Sequence, residues 1–269
     1  MDFFQAIILA IIEGLTEYLP ISSTAHMIFA SSYFGIQEDD FVKLFQVSIQ
    51  FGAILAVVAL YWKKFLDFSK FSFYIKLACA VVPALVLGYI FDDMIDAVLG
   101  DPIPIAIVLI LGGVILLFIE NFFKSPTIHK EEDITIKKAV TIGFWQCLAM
   151  MPGTSRAAAS IIGGMQQKLT REAAAEFSFF LAVPTMAAVT VYSVFLKTYH
   201  QTGLKGYELL TQNSDNIKMF LMGNAIAFVV AIVAIKGFIG VIKKYGFKPW
   251  GWYRIIAGIA LLAYFVINK

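Results

Sequence analysis

Residues 3–34 read FFQAIILAIIEGLTEYLPISSTAHMIFASSYF. The apolar run 3–12 stops at Glu13. A helix needs about 20 apolar residues to cross a bilayer, so this run is too short. Glu17, Pro20 and the hydroxyls of Ser22, Ser23 and Thr24 follow, and a second short helical stretch covers 22–34. Short helix, polar break, short helix predicts a re-entrant hairpin. Such a break at membrane depth is tolerated only where protein or a water-filled cavity covers it.

The layout recurs later in the chain. Residues 139–151 are apolar, run into Pro152-Gly153-Thr154-Ser155-Arg156, and lead to a short stretch at 154–166. Pro20 and Pro152 are 132 positions apart, as are Ser23 and Ser155, Phe45 and Phe177, and Ala56 and Ala188. Six further stretches are long enough to span, at about 41–62, 72–91, 103–123, 172–196, 217–241 and 251–267. The expected fold is therefore an all-α polytopic membrane protein with six transmembrane helices and two re-entrant helical hairpins. Residues 1–269 form a single membrane domain: a first repeat at 1–134 (hairpin 3–34 plus three spans) and a second at 135–269 (hairpin 138–166 plus three spans). A hairpin returns to its own side and three spans end on the opposite side. The second half must then start on the other face, which is an inverted-topology repeat.

Composition agrees. Hydrophobic residues make up 59% and charged residues 15% of the chain, with a mean hydropathy of +0.79. A soluble domain carries about a quarter charged residues. The net charge of +2 says little, and no basic stripe points to nucleic acid. Cys79 and Cys147 sit in apolar runs and read as small buried hydrophobes. The N-terminus has no cation before Lys43 and no visible cleavage site, so the first segment is expected to be retained. Fifteen Lys and Arg residues, from Lys63 to Arg254, fall on one side of the expected topology, and five, including Lys43 and Lys269, on the other. The loop 92–101 on that second side carries Asp92, Asp93, Asp96 and Asp101 and no Lys. By the positive-inside rule the Lys-rich side is cytoplasmic and both termini face outward.

Ionisable residues at membrane depth are costly and ask for a reason. Glu13 and Glu17 lie four apart, so a helix puts them on one face. Their repulsion is relieved by a divalent cation or by a proton held on one of them. Ser22, Ser23 and Thr24 sit where a helix N-terminus offers free N–H groups to an anion. His26 follows Ser23 by three positions and could act as acid, base or donor. In the second break, Gly153 lets backbone approach a ligand, Thr154 and Ser155 cap the helix, and Ser160 lies one turn on. Arg156 needs an anionic partner, either a Glu of the other hairpin or a bound phosphate. The two tips together make an anion site with acid–base groups.

Glu13-Gly-Leu-Thr-Glu17-Tyr-Leu-Pro-Ile-Ser-Ser-Thr-Ala-His26 resembles the glutamate-rich motif of the bacterial undecaprenyl-diphosphate phosphatases linked to bacitracin resistance. Pro152-Gly153-Thr154-Ser155-Arg156 resembles their second motif. The resemblance implies hydrolysis of undecaprenyl diphosphate to the monophosphate in the bacterial plasma membrane, recycling the carrier lipid for cell-wall polymers. It implies functional roles for Glu13, Glu17, Ser23, His26, Ser155 and Arg156, of which Glu17, Ser23, His26 and Arg156 are expected to be catalytic; the helix starts add expected phosphate contacts from Ser22, Thr24, Gly153, Thr154, Ser155, Arg156 and Ser160. It implies a divalent cation, Mg2+ or Ca2+, on Glu13 and Glu17. The expected partners are a polyprenyl diphosphate lipid and membrane lipids, and a homodimer is compatible with the reading. The chain departs from the family where Ala157 replaces a Ser and Ser160 a Thr. None of Arg156, Arg171 and Arg254 precedes Pro, unlike the lipid phosphatases built on paired histidines and an Arg-Pro motif. The rival function is a transporter or flippase of an anionic polyprenyl lipid, since inverted repeats with broken helices also build transporters. Two carboxylates facing the anion favour the enzyme, because anion binding alone has no use for them.

Overall fold

The computed structural model describes residues 1–99 and 101–267. In chain order its helices are α1 (Phe3–Thr16), α2 (Ser23–Tyr33), α3 (Asp40–Leu60), α4 (Trp62–Phe65), α5 (Phe71–Ile90), α6 (Asp92–Leu99), α7 (Pro102–Phe122), α8 (Ile136–Gln146), α9 (Arg156–Gln166), α10 (Arg171–Val191), α11 (Gly206–Thr211), α12 (Ser214–Tyr245) and α13 (Lys248–Ile267). Among the described residues six helices are long and apolar enough to cross a membrane: α3, α5, α7, α10 with its continuation to Leu196, α12 and α13. No strand is formed there beyond isolated bridges such as Ile128 to Leu169. The protein is an all-α polytopic membrane protein.

Polar caps set where the helices begin. Asp2 caps α1 in a reciprocal box with Gln5, Asp39 caps α3, Thr170 caps α10 and Asn213 caps α12. Asp101 caps α7, whose first residue, Pro102, has no N–H to leave unsatisfied. The 32 residues of α12 exceed the expected 217–241. At about 1.5 Å per residue they outrun a hydrocarbon core of about 30 Å, and the last turn ends in Lys243 and Lys244. Val82, Leu111, Phe118, Val229, Val233 and Ile256 project outward from the bundle, as lipid contact requires.

The two halves of the chain interleave. α1 packs on α12 and α8 packs on α5, so each short helix rests against a long helix of the opposite half. α3 packs on α12 and α10, and α7 pairs with α13. Small residues bring these backbones close. A Cβ on Gly52 would collide with the backbone of Asn224, and one on Gly143 with the backbone of Ala80. The Lys-rich loops are tied together by ion pairs: Lys64 with Glu131, Lys70 with Glu132 at 2.8 Å, and Lys243 with Glu172 at 3.3 Å. Hydrogen bonding and charge at Lys70 hold the Glu132 carboxyl below its ordinary pKa and the ammonium above its own.

Three expectations change. Arg254 belongs to no loop; it is fully buried inside α13. Cys79, on α5, and Cys147, in the turn after α8, are half-buried rather than buried. Residues 92–99 are helical, although the side chain of Asp96, like the whole of Lys269, lies outside the described residues.

Candidate functional site

α1 ends where Glu17 caps it, and Pro20, with no N–H to donate, prevents the helix from continuing. Ser22 then turns the chain at φ 68° and caps α2 by accepting from the N–H of Ala25. In the second break Ser155 turns the chain at φ 73° and caps α9 by accepting from Ala158. Non-glycine residues rarely take positive φ, and each costs about 1–3 kcal/mol. The two strained caps stand 133 positions apart. Ser23 and Arg156 are each the first residue of their helix. Gly153 has φ 92°, and a Cβ there would lie 2.5 Å from the carbonyl oxygen of Ile105. Only glycine fits that turn.

The tips meet. Arg156 Nη2 donates to Glu17 Oε1 at 2.7 Å, and Ser23 Oγ donates to Glu17 Oε2 at 2.6 Å. One carboxylate thus bridges the hydroxyl of one tip and the guanidinium of the other. Arg156 Nη1 donates to the carbonyl of Ser178 at 3.0 Å and to its hydroxyl at 3.3 Å. The guanidinium carbon lies 5.7 Å from the centre of the Tyr18 ring, whose hydroxyl donates to the carbonyl of Ala53. Ser155 Oγ reaches across to the carbonyl of Leu19 at 3.4 Å. Glu13, Glu17, Ser22, Ser23, Ser155 and Arg156 are all buried. Three polar atoms in this cluster have no partner: Glu13 Oε1, Glu13 Oε2 and Arg156 Nε. Buried polar atoms are nearly always bonded, so orphans of both signs beside one another mark a place for a ligand.

Some expected site residues stand elsewhere. His26 does not face Ser23. Its Nδ1 lies 2.7 Å from the carbonyl of Ser22, and its Nε2 lies 2.8 Å from the hydroxyl of Tyr253, whose ring stacks on the imidazole. A carbonyl only accepts, so Nδ1 carries the proton and the Tyr253 hydroxyl donates to Nε2. Ser160 is fully buried, donating to the carbonyl of Arg156 at 2.8 Å and lying 2.6 Å from the Ser178 hydroxyl. It supports Arg156 from behind. The cap of α9 is Ser155, while Thr154 sits half-buried in the turn; Thr24 is half-buried in the first turn of α2. Ser178, Tyr253 and Arg254 were not singled out from sequence. Arg254 reaches the carbonyls of both tips, at Pro20 and at Gly153 and Thr154. No signal marks Ser178, a small hydroxyl in an apolar run. Arg254, like Lys76, is followed by more than ten apolar positions, which is a usable signal.

Fold and site define a multi-pass α-helical membrane protein with a buried Glu–Ser–Arg cluster built where two broken helical segments meet. The chain belongs to the family described as bacitracin resistance protein BacA, whose family model matches residues 6–260. It is 53% identical over 262 residues to an undecaprenyl-diphosphatase of Flavobacterium psychrophilum, a match covering 97% of this chain and 95% of the relative. It is 46% identical over 279 residues to one from Porphyromonas gingivalis, covering 97% and 96%. A relative of the same name from Enterococcus faecalis is 41% identical over 277 residues, covering 97% and 96%.

Proposed function

We propose that this chain is a membrane-embedded phosphatase that converts undecaprenyl diphosphate to undecaprenyl phosphate and inorganic phosphate. The activity recycles the carrier lipid for cell-wall synthesis and underlies bacitracin resistance. Family membership supports the substrate. One observation supports the chemistry: Glu17 accepts from the Ser23 hydroxyl while it is paired with Arg156. A hydroxyl bonded to a carboxylate is a nucleophile beside its base.

In this reading Ser23 Oγ attacks the terminal phosphorus as its proton passes to Glu17 Oε2. The bond from that phosphorus to the bridging oxygen breaks, and the lipid monophosphate leaves with the bridging oxygen. Glu17 passes that proton to the bridging oxygen of the departing lipid monophosphate; water then cleaves the phosphoserine, giving a proton to Glu17, which returns it to Ser23 Oγ as phosphate departs. Arg156 offers Nε to the phosphoryl oxygens, and its charge offsets the charge that builds on them. α2 and α9 both begin at this cluster, and a helix N-terminus favours an anion. His26, held by Tyr253, is not the base for Ser23; it is a donor and acceptor at the edge of the site.

The residues fit a divalent cation. Glu13 presents two unpartnered carboxylate oxygens, and Glu17 lies one turn on. Among the described residues no group of three or more His, Cys, Asp or Glu could hold a metal, so other ligands would be phosphate oxygens and water. When bound there, Mg2+ or Ca2+ would neutralise diphosphate charge. We further propose that the halves 1–134 and 135–269 are inverted repeats with re-entrant hairpins, supported by the paired strained caps and the interleaved packing. Both termini then face outward, with the Lys-rich loops in the cytoplasm.

The test is phosphate release from undecaprenyl diphosphate by purified protein in detergent, with the lipid monophosphate formed in equal amount. Binding of the lipid without phosphate release would leave a carrier protein and end the phosphatase reading.

A further inference from the structure

Arg254 has no exposed surface and, among the described residues, no carboxylate within ion-pair distance. Instead its guanidinium spends each of its five N–H groups on a different backbone carbonyl. Nε donates to Leu109 at 3.1 Å, Nη1 to Pro20 at 3.1 Å and to Thr154 at 2.9 Å, and Nη2 to Gly153 at 2.8 Å and to Val108 at 3.4 Å. Five donors in a fixed plane is what an arginine has, so nothing is left over. The carbonyls come from three places: the turn before Ser22, the turn before Ser155, and the middle of α7.

The neighbouring helix is shaped for this side chain. A Cβ on Gly112 would collide with the guanidinium itself, and one on Gly113 would meet Arg254 Cβ at 2.9 Å and the carbonyl of Gly251 at 2.8 Å. The Gly112-Gly113 pair on α7 and Gly251 on α13 open the passage by which the arginine reaches the tips.

We infer that Arg254 is a positioning residue that fixes the spacing between the two tips, and through it the distance between Ser23 and Arg156. It touches neither substrate nor Glu17. It holds the peptide groups at Pro20 and at Gly153 and Thr154, which lie within three residues of the groups that do the chemistry. This rests on the phosphatase reading and adds a residue to it.

Lysine keeps the charge but has one nitrogen with three donors, and cannot reach three segments in a plane. Gly112→Ala keeps the arginine but pushes it off the tips. A misplacement of about 1 Å costs about a hundredfold in rate. We therefore expect Arg254→Lys and Gly112→Ala each to lower kcat about a hundredfold, with KM changed less than about threefold, and the double variant to lose little more than either. Spin labels at Leu19→Cys and Met151→Cys, in a protein whose Cys79 and Cys147 are replaced by Ala, should report a broader tip-to-tip distance in both variants. Either variant keeping kcat within about threefold of wild type, losses that multiply in the double variant, or an unchanged distance distribution would overturn the inference. Wild-type protein that releases no phosphate would instead sink the phosphatase reading, and the distance measurement still judges Arg254.

Discussion

Glu17 and Arg156 stand 139 positions apart and meet in a buried ion pair of 2.7 Å. The pair crosses from one half of the chain to the other, so neither half holds a site alone. It also fixes the carboxylate that receives the Ser23 hydroxyl.

Removing one partner of a buried pair leaves the other charge stranded, at a cost of about 3–5 kcal/mol. Glu17→Gln should lower the melting temperature and cut kcat about a hundredfold or more, through loss of the base. Arg156→Lys keeps the charge but cannot hold Glu17 and Ser178 together, and should stay strongly impaired. Melting curves and phosphate release check both. A Glu17→Gln protein that melts and turns over like its parent would mean that the pair is ornamental.

Glu13 behaves differently: it is buried beside the like charge of Glu17 and, among the described residues, forms no ion pair. Neutralising it relieves that repulsion without breaking an ion pair. Glu13→Gln should melt at or above the parent temperature, and the Mg2+ concentration for half-maximal activity should rise about tenfold or more. Unchanged cation dependence in a titration of the chelated protein would remove Glu13 from the cation site.

Helix crossings should show the cost of a single methyl. Gly52→Ala drives a Cβ into the backbone of Asn224 and should destabilise by about 1–3 kcal/mol. Gly237 on α12 has open space at its Cβ, so Gly237→Ala should be neutral or stabilising by about 0.5–1 kcal/mol. Equal melting temperatures for the two variants would contradict the close α3–α12 crossing.

Orientation is testable at Leu66, exposed just after α4. A cysteine there should react with an impermeant maleimide in inside-out vesicles and stay protected in intact cells. Labelling from the outside alone would invert the topology.

The spans were legible because 20 apolar residues are hard to place anywhere but a membrane or a core. Glu13, Glu17 and Arg156 were legible because charge at that depth is costly. Ser178 and Tyr253 were not, since a hydroxyl in an apolar run and a tyrosine near a helix start are ordinary. His26 and Tyr253 lie 227 positions apart, and no local spacing connects them. Arg254 read as a flanking cation because Lys243, Lys244 and Lys248 precede it. Its burial depends on a glycine pair in another helix. Identical letters pair Ser23 with Ser155, while the positive-φ caps are Ser22 and Ser155, a backbone feature that letters do not carry.

Attack by Ser23 is the central claim, and it is tested most directly by rapid acid quench of the purified enzyme with undecaprenyl diphosphate labelled in the terminal phosphate. The account predicts label on Ser23 that appears and decays within a turnover, lipid monophosphate formed at the same rate, and no turnover in Ser23→Ala although the lipid still binds. Substantial phosphate release by Ser23→Ala, with no labelled protein in the wild type, would contradict it and leave water as the attacking group.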